Sequence, residues 1–355
     1  MRILIINRRS NGDVFLSNVL LKNLRYLYED VEIDYLVNKN TIAIAETLDN
    51  INNIYTIDIE LKKRNKLKYI SNLYLIFKKI YKKYDLSINL NANDLSTFIS
   101  YISSKKPISS VDVEKKKSWW KYILVRNTYK IDTRRHMIYS FLEPLKFLGV
   151  PYKTLDYSPQ KLLPKKYIQD KFGIPDNYIV LHPSAQFQFR SYPVHLTAEL
   201  IDLFVKNGTN IVLTGINDKI NKAYADIIKE KSNKKIKCLI GKTNIPELYS
   251  IIKYSNLFIG MDTLSSHIAA SFDKKLIAIY GPNSVRQWSP YNHKIAYSPE
   301  KDTPPLTNYG NFTIIQADMP CVPCNMNGCN GNGISECLFN ISPKLIFKIA
   351  LEKLA

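Results

Sequence analysis

Short apolar runs alternate with longer segments of helical periodicity along most of this chain. Residues 3–6, 33–37, 54–57 and 86–90 are short, largely apolar runs of strand length and read as buried strands. Between them, 14–27 and 67–80 place apolar residues three and four apart, as one face of a helix requires. Strand and helix in alternation predict βαβ units and a parallel sheet. Residues 135–148 read as a closing helix that ends at Gly149.

The periodicity lapses over 150–164, where Pro151, Pro159 and Pro164 fall close together, and a linker is expected there. A second series follows. Its strands are predicted at 178–182, 211–214, 236–240, 257–259 and 276–280, and its helices at about 194–206, 220–231, 245–254 and 265–272. Asn244 with Glu247 forms a candidate capping box, and Ser342-Pro343 opens a last helix over 344–354. The length of 355 residues also fits two domains. The expected division is 1–155, 156–341 and a C-terminal helix, 342–355, that packs back on the N-terminal domain. In open α/β sheets ligands bind beyond the carboxyl ends of the strands, so a shared site in a cleft between two such domains is expected.

Composition narrows the setting. The apolar run at the N-terminus is only Ile3 to Ile6 before Asn7, Arg8 and Arg9, too short for a signal peptide, and no stretch has the roughly 20 apolar residues that span a bilayer. A cytoplasmic protein, peripheral at the inner face of the inner membrane, is expected. Fifty Lys and Arg against 31 Asp and Glu give a formal charge of +19, which suits a polyanionic partner: nucleic acid, a phosphorylated substrate or an anionic membrane. Nucleic acid would be expected with a helix-turn-helix, zinc-finger or RNP pattern, and the chain carries none. Residues 61–83 hold nine Lys and Arg and no acid, with Lys62, Lys63 and Arg64 at their head. The run 115–121 sets Lys115, Lys116, Lys117 and Lys121 beside Trp119 and Trp120, the composition of a membrane-interface patch. Solvated helix faces are the plainer reading of both.

The chemistry sits at strand ends. After the first strand come Gly12 and Asp13, at the start of a helix whose N-terminus favours negative charge; Asp13 reads as a cap or as a functional carboxylate. The second domain's first strand ends in His182-Pro183-Ser184, followed by Arg190, a hydroxyl and a guanidinium suited to phosphate. Asp262, Thr263, Leu264 and Ser265 then open a helix, a fitting cradle for a pyrophosphate, with His267 one turn on as a core or ligand-facing histidine. Cys321, Cys324, Cys329 and Cys337 offer a structural zinc or iron site, packed thiols or disulfides, at a spacing that is not a standard zinc finger.

Gly12-Asp13 after the first strand, His-Pro-Ser before a basic residue, and the Asp262 to Ala270 helix followed by Tyr280-Gly281-Pro282 together resemble glycosyltransferase family 9, the ADP-heptose:lipopolysaccharide heptosyltransferases. The resemblance implies two facing Rossmann-like domains (the GT-B fold) and an inverting transfer that needs no cofactor for catalysis. It implies Asp13 as general base and donor binding by Ser184, Arg190, Asp262, Thr263, Leu264 and His267. It further implies an ADP-heptose donor and an anionic lipopolysaccharide-type acceptor, received by the N-terminal domain, where Lys62, Lys63 and Arg64 lie. The chain departs from the family pattern at Val19 (usually Pro), Arg190 (Lys), Tyr192 (Trp) and Leu264 (often Gly). A different nucleotide sugar on the same scaffold is the nearest alternative.

Overall fold

The computed structural model describes residues 1–111, 119–231, 233–299 and 305–355, with the backbone alone for 227–231. The Lys115–Lys117 part of the tryptophan-flanked basic run lies outside the described residues; Trp119, Trp120 and Lys121 open the helix Trp119–Leu124. The chain divides into two units, Met1–Gln160 and Lys161–Ala355.

The first unit is built on β1 (Arg2–Ile6), β2 (Glu32–Asn38), β3 (Asn53–Ile57), β4 (Tyr84–Asn89), β5 (Ser104–Val111) and β6 (Asn127–Lys130). They lie in the order β3-β2-β1-β4-β5-β6, and every pairing is parallel. Ile3 to Ile6 are fully buried because helices cover both faces of a parallel sheet. The order reverses between β1 and β4, and a crevice opens at such a switch point beyond the strands' carboxyl ends.

The second unit repeats the plan with β7 (Ile179–His182), β8 (Ile211–Leu213), β9 (Ile236–Cys238), β10 (Leu257–Met261), β11 (Leu276–Tyr280), β12 (Leu306–Tyr309) and β13 (Phe312–Gln316), ordered β12-β13-β11-β10-β7-β8-β9. Among them only β12 runs antiparallel, against β13. Here the switch point falls between β7 and β10, which pair His182 with Gly260. Gly260 is required by packing: a Cβ there would come within 2.7 Å of the Phe258 ring.

Several expectations change. Residues 135–148 form a short helix, Met137–Leu142, continued as a 3-10 turn, Glu143–Leu148, with Pro144 near the junction. The expected linker, 150–164, contains the boundary between the units, and its residues up to Gln160 pack on the first unit. Asn23 Nδ2 donates to the Thr154 carbonyl (2.8 Å), Lys22 pairs with Asp156 (2.6 Å), and the Gln160 N–H donates to Asp49 (3.2 Å). The last helix, Pro343–Leu354, starts as expected with the Ser342 hydroxyl accepting from the Lys344 N–H. Its apolar face was expected on the N-terminal domain; instead Ile346, Ile349 and Ala350 join the second unit's core with Leu200 and Phe204. Phe347 meets Phe204 edge-on at 5.1 Å. The capping box also forms: Asn244 accepts from the Glu247 N–H and Glu247 from the Asn244 N–H, both at 2.9 Å.

Candidate active site

In the first unit the chain leaves β1 through Asn7, Arg8, Arg9 and Ser10 into the helix Asn11–Leu16. A buried polar net fixes this loop. Asn7 Nδ2 donates to Tyr35 Oη (3.1 Å) and to the Asp13 carbonyl (3.2 Å), and Tyr35 Oη also meets Ser17 Oγ (2.6 Å). Burial raises the Tyr35 pKa well above that of a free phenol, so this hydroxyl stays neutral. Arg8 is tied to β2 and to the segment after β4: its Nε donates to Asn38 Oδ1 (3.2 Å) and its backbone N–H to Asn91 Oδ1 (2.5 Å).

Asp13 is 5% exposed, and both its oxygens are held. Arg9 Nε donates to Oδ1 (2.6 Å), while Ser10 Oγ (2.6 Å) and the Ser10 N–H (3.3 Å) donate to Oδ2. The capping reading of Asp13 is therefore realised in part. An ionised carboxylate has about four lone-pair sites, so capacity remains for a substrate hydroxyl. Arg9, which sequence reasoning passed over, is the carboxylate's cationic partner, and its i,i+4 spacing from Asp13 was the available signal. Lys62, Lys63 and Arg64 form the exposed last turn of the helix Ile59–Arg64, directly after β3.

In the second unit the carboxyl ends of β7, β8 and β10 carry the expected residues. His182, ending β7, is buried; its Nδ1 lies 2.9 Å from Thr214 Oγ1, and burial pulls its pKa down to about 4, so it is neutral near pH 7. Ser184 Oγ donates to Asn221 Oδ1 (2.5 Å), whose amide donates to Asp218 Oδ1 (2.9 Å). Arg190 and Asp262, 72 residues apart, form an ion pair through Arg190 Nη2 and Asp262 Oδ2. Asn283 Nδ2 donates to the same oxygen (2.8 Å), and Arg190 Nη2 reaches the Asp262 carbonyl (3.3 Å). Thr263 is the N-cap of the helix Leu264–Ser271, with Leu264 half-buried at its first position and His267 buried one turn on.

Two buried polar atoms at this spot, Arg190 Nε and Thr263 Oγ1, have no hydrogen-bond partner among the described residues. Unsatisfied buried donors are costly, by about 1–3 kcal/mol each, and these two are available to an incoming acceptor. A guanidinium, a hydroxyl and the open N–H groups of a helix start all suit an anionic oxygen cluster. Asn283 belongs to this site as well; its position in the turn after β11 was visible, its partner was not.

The cysteine expectation is corrected. All four are free thiols, and among the described residues no three His, Cys, Asp or Glu side chains come together where a metal could sit. Cys337 is buried in the core beside Leu338, and burial raises its pKa to about 11.

Two Rossmann-like domains, each with polar side chains gathered at its switch point, define the GT-B class of nucleotide-sugar enzymes. A family model for glycosyltransferase family 9 (heptosyltransferase) matches residues 74–316, and the chain belongs to that family. It is thus a glycosyltransferase. Its relatives include lipopolysaccharide heptosyltransferase 3 of Escherichia coli, 27% identical over 295 residues, which cover 81% of this chain and 85% of the relative. Among solved structures, E. coli ADP-heptose lps heptosyltransferase II superposes with a TM-score of 0.71 at 19% identity, covering 100% of this chain and 98% of that one. E. coli heptosyltransferase WaaC with ADP-2-deoxy-2-fluoro heptose gives 0.73 at 16%, covering 99% of both. No helix among the described residues is long and apolar enough to cross a membrane.

Proposed function

We propose that this glycosyltransferase moves a heptose from ADP-heptose to a phosphorylated lipopolysaccharide core acceptor, with inversion at the anomeric carbon. The observation that carries the reading is the pair of unspent donors, Arg190 Nε and Thr263 Oγ1, beside the Arg190–Asp262 ion pair at the start of the helix Leu264–Ser271. A nucleoside diphosphate supplies the acceptors these groups lack. The names of the relatives, lipopolysaccharide heptosyltransferases, and the ADP-heptose analogue in a structural neighbour favour this donor and acceptor over other nucleotide sugars.

In the proposed step an acceptor hydroxyl attacks the anomeric carbon. The new C–O bond forms as the bond to the diphosphate oxygen breaks, and the departing diphosphate takes the electron pair. Arg190, Thr263 and the helix N-terminus stabilise that growing charge. Asp13 accepts the hydroxyl proton as general base, held by Arg9 and Ser10 so that its position costs little at the moment of reaction. Lys62, Lys63 and Arg64 attract the acceptor's phosphates. Metal is not required for these steps. The test is product formation from ADP-heptose, compared with UDP-, GDP- and CMP-sugars, on a heptose-deficient core acceptor. Transfer from ADP-heptose alone is expected; transfer only from another nucleotide sugar overturns the donor assignment.

A further inference from the structure

The second unit carries a pocket that the transfer step does not use. It holds about 370 Å³ and lies where the starts of the helices Val194–Lys206 and Lys219–Lys231 meet the segment around Ser335. Small-molecule sites of this size have mostly apolar walls with a few placed polar groups. Here Tyr192, Val194, Ile220, Tyr224, Leu338 and Phe339 supply the apolar wall. Tyr192 Oη donates to the Ile341 carbonyl (2.6 Å), and Tyr224 Oη donates to the Tyr192 carbonyl. Both hydroxyls are thus spent within the protein, which leaves their rings as apolar surface. His195 lies against Phe339 with ring centroids 5.7 Å apart and adds aromatic area.

Three polar features meet this wall. Ser335 is 3% exposed, and its Oγ has no hydrogen-bond partner among the described residues. Buried hydroxyls nearly always have one. Lys219 stands exposed on the lining, and no Asp or Glu lines the pocket among the described residues. The helix Val194–Lys206 begins here with Pro193 at its N-cap, so no side chain caps its first N–H groups, at the positive end of its dipole. One ammonium, one hydroxyl and one helix start complement a single negative charge. A phosphate ester would bring a second charge with no second cation to meet it, whereas the wall favours an apolar body.

From this chemistry we propose that the pocket binds a small monoanion with an apolar or aromatic body, an aryl or alkyl carboxylate. Ser335 Oγ donates to its carboxylate, and Lys219 and the helix start match its charge. Arg190, Asp262 and Thr263 are not on the lining, although Gln188 and Ser191, on either side of Arg190, are. The site is therefore separate from the diphosphate corner, and it requires neither the donor nor the acceptor of the transfer reaction.

The test titrates 2-naphthoate, with 2-naphthamide as its neutral counterpart, into the full chain by ligand-observed NMR, with and without saturating ADP. The acid should bind with a dissociation constant of about 1 mM or tighter, and the amide at least about tenfold more weakly. ADP should leave the acid bound. Ala223→Trp fills the pocket from the helix Lys219–Lys231 and should weaken the acid at least about tenfold. Lys219→Gln should bring acid and amide within about threefold of each other. Both side chains are exposed, so melting temperature and ADP affinity should stay as in the parent. Ser335→Ala deletes a buried hydroxyl with no partner to lose, so it should weaken the acid about threefold or more at an unchanged or higher melting temperature. Absence of binding by the folded parent at about 10 mM acid, equal affinity for acid and amide, or displacement by ADP overturns the proposal. Affinity unchanged in the folded variants overturns it as well. ADP-heptose and acceptor are absent throughout, so failure here is separable from failure of heptose transfer.

Discussion

Replacing Arg190 with Ala removes a guanidinium that is already engaged, and this sets the size of the effect. In the free protein Arg190 is paired with Asp262, and Asp262 is also held by Asn283. A charge-assisted hydrogen bond to phosphate is worth about 1.5–3 kcal/mol, but a diphosphate must share the guanidinium with Asp262 and brings like charge toward that carboxylate. The lower half of the range follows, about 1.5–2 kcal/mol, or ~10–30-fold in dissociation constant. Arg190→Ala should therefore weaken ADP binding by that factor in titration calorimetry. It should also lower stability by about 1–3 kcal/mol, because Asp262, 9% exposed, loses its only charged partner among the described residues. Asp262→Asn removes the competing charge while keeping a polar group for Asn283, so ADP should bind at least as tightly as to the parent. ADP affinity within twofold of the parent in Arg190→Ala, with the protein folded, would refute the assignment of this corner to the diphosphate.

Two further outcomes are expected. Neutralising Lys62, Lys63 and Arg64 together as Gln should raise the acceptor KM and leave the donor KM within about twofold, the effect fading at high salt where exposed charges are screened; equal loss of donor affinity would count against an acceptor role. Burial lowers the His182 pKa from 6.5 to about 4, so between these values the unfolded chain binds a proton that the folded chain does not. Stability is then unaffected above about pH 6.5 and falls as pH drops toward 4, by up to roughly 3 kcal/mol from this group. The loss of melting temperature over that window should be smaller in His182→Gln, and an identical pH profile would contradict the assignment.

The strands legible in the sequence, β1 to β4 and β7 to β11, were those marked by short, largely apolar runs; β13, though buried, was passed over. β5 was missed because Ser109 and Ser110 are buried as hydroxyls rather than as apolar groups, Ser109 Oγ accepting from Asn89 Nδ2 at 2.8 Å, and β6 because its four residues, Asn127–Lys130, are mostly polar. The same cause hid how the expected linker packs. Asn18 and Asn23, polar positions of the helix Asn18–Leu27, are fully buried under residues 153–158. Such polar pairing over 130 residues leaves no local periodicity to read. Candidate residues were easier to place than their partners. Asp13, Ser184, Arg190 and Asp262 follow strands, where a loop must form, whereas the Arg190–Asp262–Asn283 cluster exists only once the strands are ordered. The cysteine spacing left metal, packed thiols and disulfides open, because spacing alone does not fix how the backbone turns the side chains; free thiols are what the structure carries.

The proposed chemical step is tested most directly by single-turnover transfer from ADP-heptose in Asp13→Asn. The amide keeps the side chain's size, and its one oxygen can still accept from Ser10 while the bond from Arg9 is lost, so a modest loss of stability is expected with ADP affinity near that of the parent. It cannot take a proton from the acceptor hydroxyl, and general-base catalysis is typically worth about 10²–10⁴ in rate. The account predicts a rate constant for transfer at least about a hundredfold lower, with donor binding intact. A transfer rate within about threefold of the parent in correctly folded Asp13→Asn would contradict it, leaving Asp13 as a cap of the first helix alone.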